Sequence, residues 1–337
     1  MTVGGPLARP RVLAVAVLIA AVLAAAPTAA FELQGHRGAR GLLPENTLPA
    51  FAAALSLGVT ALELDLGVTR DGVVVVSHNQ RLNPDLTRDE KGRWLVSEGP
   101  AINALGLAEL RAFDVGRLNP WRRYGRRFPD QRPVDGTRMP TLREVFALAR
   151  KAGNDRVRFS IEIKSRPDRP DETLPPAAFA DAVLAVVRNE GMDRRTSIQS
   201  FDWRSLDRVR AVAPRIRRVY LSAQRRWLDN IRMGEPGPSP WTAGLDVDAF
   251  GGSVPRMVAA AGGKVWSVYH RDLDDEALDE AHALGLEVLV WTVNDAGDMR
   301  RLIDLGVDGI ITDYPDRLRD VMAGKGMSLP RPTPVTP

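Results

Sequence analysis

Residues 34–79 read QGHRGARGLLPENTLPAFAAALSLGVTALELDLGVTRDGVVVVSHN. Within them stand Gly35-His36-Arg37-Gly38, Pro44-Glu45-Asn46-Thr47, Glu63-Leu64-Asp65 and Ser77-His78-Asn79. The chain has only four histidines, and two of them lie here with the carboxylates of Glu63 and Asp65 between them. Each group closes a short apolar run that reads as a strand, and the C-terminal strand ends are where barrel enzymes keep their chemistry.

The Asp71-Gly72 pair between Gly67–Arg70 and Val73–Val76 reads as a two-residue hairpin turn. Facing residues then sum to 143, which sets Asp65 opposite His78, with Glu63 on the same face as Asp65. The run Ser160-Ile161-Glu162-Ile163-Lys164 alternates in the same way. With Ile161 and Ile163 toward helices, Glu162 and Lys164 point into the barrel mouth. Three inward carboxylates repel one another, and a divalent cation resolves this; oxygen-only ligands suit Mg²⁺ or Ca²⁺. A salt bridge from Lys164 to one carboxylate is compatible with that. His36 sits in a glycine-flanked turn, and Arg37 beside it offers a planar donor fork suited to phosphate. This set fits phosphodiester cleavage. His270 borders the pocket with no evident partner in sequence, and His282 lies in a helical pattern and reads as structural.

Outward from this core, apolar runs alternate with helical patterns, the signature of repeated βα units. Eight strands are expected, at 32–35, 61–66, 159–163, 197–199, 218–221, 265–268, 287–291 and 309–311. Eight strands close a TIM (β/α)8 barrel. Leu48, Phe51, Ala52 and Leu55 form one helical stripe, capped by Asn46 or Thr47 and stopped by Gly58. Two more helices are expected at 141–152 and 176–190. Residues 80–140, between the second and third barrel strands, are too long for a connection and too aromatic for disorder. They are expected to form an insertion over the barrel mouth, with 234–255 as a second irregular segment. The tail 326–337 is expected to be loose.

The 337 residues are 44% hydrophobic and 26% charged, enough for one large barrel domain over 31–325. A formal charge of only +4 gives no reason to expect nucleic acid as a partner. Arg9 and Arg11, the apolar run Val12–Ala26 and the small residues to Ala30 follow the order of a signal peptide over 1–30. The run is too short to span a bilayer. A periplasmic or secreted protein is expected, with no stable membrane anchor after cleavage. The absence of cysteine excludes both a lipid-modified thiol and a disulfide framework.

With these residues in order, the chain resembles a glycerophosphodiester phosphodiesterase. The likeness rests on His36-Arg37-Gly38 with Pro44–Thr47, Glu63-Leu64-Asp65, Asp71-Gly72 through Ser77-His78, Glu162-Ile163-Lys164, Gln199-Ser200-Phe201, Trp291–Asn294 and Thr312-Asp313-Tyr314-Pro315. It implies a TIM barrel in which His36 and His78 are the acid/base pair and Glu63, Asp65 and Glu162 hold one divalent cation. It also implies that Arg37 and Lys164 contact the phosphate, with Glu45 and Trp291 lining the pocket for a small phosphodiester. Asn79 departs from the pattern, since the family usually has Asp after the second histidine. Two alternatives use the same barrel: a phospholipase D-like enzyme acting on lysolipids, for which Trp94, Trp121 and Trp227 speak, and a phosphoester-binding protein without turnover.

Overall fold

A parallel strand wrapped by helices buries both faces, and eight strands of this chain do so. In the computed structural model, which describes residues 1–5 and 31–337, they are β1 (Glu32–Gly35), β2 (Ala61–Val68), β4 (Arg158–Ile163), β5 (Thr196–Ser200), β6 (Arg217–Ser222), β9 (Val265–Tyr269), β10 (Glu287–Trp291) and β11 (Gly309–Thr312). β1 pairs in parallel with both β11 and β2, so the sheet closes into a TIM barrel. β3 (Val74–Val76) adds antiparallel to β2, and β7 (Gln224–Arg225) with β8 (Leu228–Asp229) makes a separate hairpin. The expected leader at residues 1–30 falls almost wholly on residues 6–30, outside the described residues. Among the described residues no helix is long and apolar enough to cross a membrane.

The helices are α1 (Leu48–Leu57), α2 (Leu107–Leu110), α3 (Leu142–Lys151), α4 (Pro176–Asn189), α5 (Trp203–Val212), α6 (Val254–Ala260), α7 (Asp275–Ala283), α8 (Ala296–Leu305) and α9 (Pro315–Gly324). Thr47 caps α1 by accepting from the Ala50 amide, and Gly58 ends it at φ +89°. Thr141 and Glu144 close a capping box on α3. The main core lies between sheet and helices: Leu62, Leu64 and Leu66 of β2 pack outward with Phe51, Phe146 and Phe159. Alternation then turns Glu63 and Asp65 into the bore. Val219, Val265 and Leu289 form a small apolar cluster of their own, on the inward faces of β6, β9 and β10. At the base Glu32 accepts from Gln34 at 2.6 Å and from Arg217 at 2.6 Å, and also pairs with Arg158.

The β2–β3 turn differs from the expected one. Leu66 pairs with Val76 and Val68 with Val74. Thr69 N–H donates to Val73 O at 3.0 Å, and Gly72 sits at φ +78°. This is a three-residue loop with a left-handed glycine. The register moves by one, so Asp65 faces Ser77, whose N–H donates to Asp65 O at 2.9 Å. His78 is the first residue past that contact.

The segment between β3 and α3 holds α2 and two short 3₁₀ turns. Leu82, Ile102, Leu110 and Met139 pack on Val75, while Leu118 and Phe128 pack on Tyr314. The C-terminal tail, expected to be loose, has no regular element, yet Thr333 N–H donates to Leu55 O at 2.8 Å and Val335 packs on the core.

Candidate active site

At the C-terminal ends of β2 and β4, Glu63, Asp65 and Glu162 converge: one carboxylate oxygen from each lies within 4.8 Å of the others. β2 and β4 are in register with Asp65 beside Glu162, which is why the alternation of both strands delivers acids to one point. Glu63 accepts from Gln199 Nε2 at 2.8 Å and from the Arg37 backbone N–H at 2.8 Å. Asp65 accepts from Asn46 Nδ2 at 2.9 Å and lies 3.1 Å from Arg37 Nε. Its Oδ1 is buried with no hydrogen-bond partner in the protein. Lys164 Nζ lies 2.8 Å from Glu162 and 3.6 Å from Asp65, the ion pair anticipated from the sequence.

Burial and the charges of Asp65 and Glu162 push Glu63 well above the usual carboxylate range. Burial, opposed by Lys164, lifts Glu162 to about 7. Burial also disfavours ionised Asp65, but Arg37, His78 and Lys164 overcome it and hold the group well below its ordinary value. Without a cation, two of the three acids are thus pushed toward the protonated form, and the cluster offers only oxygen. That donor chemistry, and an Asp65 Oδ1 that accepts no hydrogen bond, fit a hard divalent cation.

His36 flanks the acids on the β1 side. Its Nδ1 stands 2.6 Å from Asp313 Oδ1, and its Nε2 lies 3.9 Å from Glu63. Asp313 is ionised: burial works against this, but Arg40 and His36 hold its carboxyl far below the ordinary range. The ring N–H at Nδ1 must then donate, leaving the Nε2 lone pair toward the acids. Burial, with the charges of Arg40 and Arg37, lowers His36 to about 4 despite Asp313. Arg40 grips Asp313 through Nε at 2.7 Å and through its terminal nitrogen at 2.9 Å, and Asn294 Nδ2 donates to the same carboxylate at 2.7 Å. Burial and the charges of Arg37 and Lys164 hold half-buried His78 well below 6.5.

Arg37 donates to Glu45 Oε1 at 2.6 Å, and Glu45 is also bound by the Tyr124 hydroxyl. Arg37 and Asn46 both adopt positive φ, +50° and +57°, and Asn46 N–H closes the turn onto Arg37 O at 3.0 Å. Gly38, at φ +86°, lies so close to α1 that a Cβ would stand 2.6 Å from Ala50 C. Glycine is required there. Trp291 ends β10, donates to Ser267 O at 3.1 Å and packs edge-on against Phe201 at 5.3 Å.

All nine residues singled out from the sequence thus lie at the C-terminal end of the barrel. Around the acids, contacts join His36, Arg37, Lys164 and Glu45, with His78 close enough to act on Asp65 electrostatically; Trp291 reaches this group through Phe201, whose ring lies 5.9 Å from Lys164 Nζ. His270 packs on Tyr269 and has no contact with the acids. His282 pairs with Asp308 at 3.0 Å on the barrel exterior. Sequence reasoning missed the roles of Asp313, Arg40, Asn294 and Tyr124. Asp313 stood in a quoted motif without a role, and Tyr124 lies in the insertion, where periodicity gave no guide. Asn79 accepts from Asn83 at 3.0 Å, and Asp313 rather than residue 79 orients an imidazole.

A closed parallel barrel with His36 and an acidic cluster gathered at its C-terminal mouth has the layout of a barrel enzyme's active site. The model of the Glycerophosphoryl diester phosphodiesterase family matches residues 36–317, and the chain belongs to that family, an enzyme of the phosphoric diester hydrolase class. A solved structure from Silicibacter pomeroyi assigned to the same family is 41% identical, covers 90% of this chain and 96% of its own, and superposes with a TM-score of 0.78. A glycerophosphodiester phosphodiesterase of Caldanaerobacter subterraneus subsp. tengcongensis is 28% identical over 291 residues, 86% of this chain and 97% of that protein. An Oleispira antarctica phosphodiesterase solved with its product sn-glycerol-3-phosphate shares the fold, at 23% identity, 86% and 96% coverage and a TM-score of 0.61.

Proposed function

We propose that the protein hydrolyses glycerophosphodiesters to glycerol 3-phosphate and an alcohol, using His36 and His78 as base and acid and a divalent cation held by Glu63, Asp65 and Glu162. The observation that carries this reading is the carboxylate trio, its oxygens within 4.8 Å, with His36 Nε2 3.9 Å from Glu63. Family membership supports the substrate class. The Oleispira fold relative, solved with sn-glycerol-3-phosphate, is consistent with it.

Bound there, Mg²⁺ or Ca²⁺ would supply Lewis-acid stabilisation of charge on the phosphoryl oxygens. Arg37 and Lys164 offer the cationic groups for the phosphate, and Arg37 is held in place by Glu45 and Asp65. His36 Nε2, with its tautomer fixed by Asp313, takes the proton of the attacking hydroxyl, whether water or the glycerol 2-hydroxyl. His78 gives a proton to the leaving alcohol. The cations that depress its pKa are the ones a phosphate would neutralise, so substrate binding favours the protonated ring. His36→Ala and His78→Ala should each lower turnover of glycerophosphocholine by about 10²–10⁴-fold, with unchanged melting, and EDTA should abolish it. Near-normal rates in both variants would refute the roles.

A second reading draws on Trp227, which is 60% exposed and packs on Tyr269 and Trp291 at the mouth. This aromatic rim suits a lysolipid, and turnover of a lysophospholipid against glycerophosphocholine separates the two. Location outside the cytoplasm rests on residues 9–30 alone, and recovery of a chain beginning at Phe31 from the periplasm or medium tests it.

A further inference from the structure

The segment 118–132 of the insertion turns two unlike sides to its surroundings. Inward, Tyr124 binds Glu45 and Arg40, and Phe128 packs with Leu118 and Tyr314 beneath the Arg40 guanidinium, 4.8 Å from the ring centre. Outward, Trp121 is 76% exposed. Arg122 donates to Val96 O at 2.7 Å, which brings in a second apolar side chain, itself 89% exposed. Arg123, Arg126 and Arg127 are exposed on the same segment, and among the described residues none has a carboxylate within ion-pair distance. The nearby acids are taken: Asp85 lies 3.5 Å from Arg122, and Asp130 lies 3.2 Å from Arg317.

We infer that this Trp–Arg segment docks reversibly on an anionic lipid bilayer, beside the mouth of the barrel. A protein partner would call for a groove or packed face, whereas here the apolar groups project singly. An indole with one wet edge suits the water–lipid boundary, and clustered arginines gain from a negative headgroup layer. The patch lies outside the acid–base site, so the inference goes beyond the proposed hydrolysis and does not depend on it.

The chain has no cysteine, so Val96→Cys accepts a single environment-sensitive fluorophore. Its emission should shift to the blue with phosphatidylcholine vesicles containing phosphatidylglycerol, stay unchanged with phosphatidylcholine alone, and revert on adding salt. The triple variant R123S/R126S/R127S, with an unchanged melting temperature, should bind anionic vesicles about 100-fold more weakly, roughly fivefold for each arginine at about 1 kcal/mol apiece. Trp121→Ser should also weaken binding. Unshifted emission overturns the inference even if the chain sediments with vesicles, because contact then lies elsewhere. An equal shift with heparin in place of vesicles also overturns it, and marks a general polyanion site instead.

Discussion

His36 and Asp313 meet where β1 pairs with β11, at the seam that closes the barrel, with Nδ1 2.6 Å from Oδ1. The first and last strands thus each give one half of a dyad, and Arg40 locks the acidic half. Asp313→Ala would leave the Arg40 guanidinium buried and unpaired, at a cost of about 3–5 kcal/mol in stability. It would also free the imidazole tautomer and lower kcat by about 10²-fold. Urea unfolding with a kcat measurement checks both. Unchanged stability would show that Arg40 finds another partner.

On the proposed ligand set, Glu162 should set the response to a divalent ion. Its folded value, about 7, lies above the ordinary 4.5. The protonated group therefore supports the fold below about 4.5, and that contribution is lost as pH rises through about 7. His36 works in the other direction: lowered from 6.5 to about 4, it withdraws stability as pH falls through that window. Without metal the two offset each other in weakly acidic solution. A divalent cation competes with the Glu162 proton, so the rise in Tm it produces should be larger near about pH 8 than near about pH 5.5. Thermal melts with Mg²⁺ or Ca²⁺ at both pH values measure this, and Glu162→Gln should flatten the difference. An ion effect independent of pH in the wild type would count against Glu162 as a ligand.

Asn46 serves as a backbone hinge and as a donor. At φ +57° it occupies a conformation that glycine tolerates and alanine does not, and its Nδ2 donates to Asp65. Asn46→Gly loses that bond and the longer one that Asn46 Oδ1 accepts from the Asp65 N–H at 3.4 Å, together about 2–3 kcal/mol. Asn46→Ala adds the left-handed strain, a further 1–2 kcal/mol or so. Denaturant unfolding should rank wild type above Asn46→Gly and Asn46→Gly above Asn46→Ala, and the opposite order would remove strain as the cause.

Tyr124 reaches from the insertion to Glu45 and accepts from Arg40 at 3.1 Å. Tyr124→Phe leaves the second Glu45 oxygen without that donor and loosens the Arg37 clamp. A severalfold rise in KM for glycerophosphocholine, with kcat changed far less, is expected if, as proposed, the clamp holds the phosphate in ground and transition states alike. A fall confined to kcat would mean that Tyr124 acts on the reacting atoms.

Much of this was legible in advance because period and position are coded locally. Alternation alone put Glu63 and Asp65 in the bore and Ile161 and Ile163 against the helices, and Gly58 with Asn46 or Thr47 bounded α1, the cap proving to be Thr47. The hairpin register was off by one because a single left-handed Gly72 lengthens the loop, and nothing in the strand pattern distinguishes two turn residues from three. The His36–Asp313 dyad spans 277 positions, so only closure of the sheet reveals it. Tyr124 lies in a segment whose path is set by contacts with Tyr314 and Glu45 rather than by any repeat. The tail read as loose because prolines carry no periodic signal, although the Thr333 and Val335 amides, with Arg319 on Pro330 O, tie it down.

That tether fixes a direction of attachment. Thr333 bonds to Leu55 and, through its hydroxyl, to Asn154 at 2.9 Å; both lie where helices end and the next strands begin, the rim remote from the acids. A purification tag or surface linker appended after Pro337 would therefore leave from the rear of the molecule. Immobilised that way, the protein would present its open end to solution, and the kinetics on the support should match those of the free enzyme.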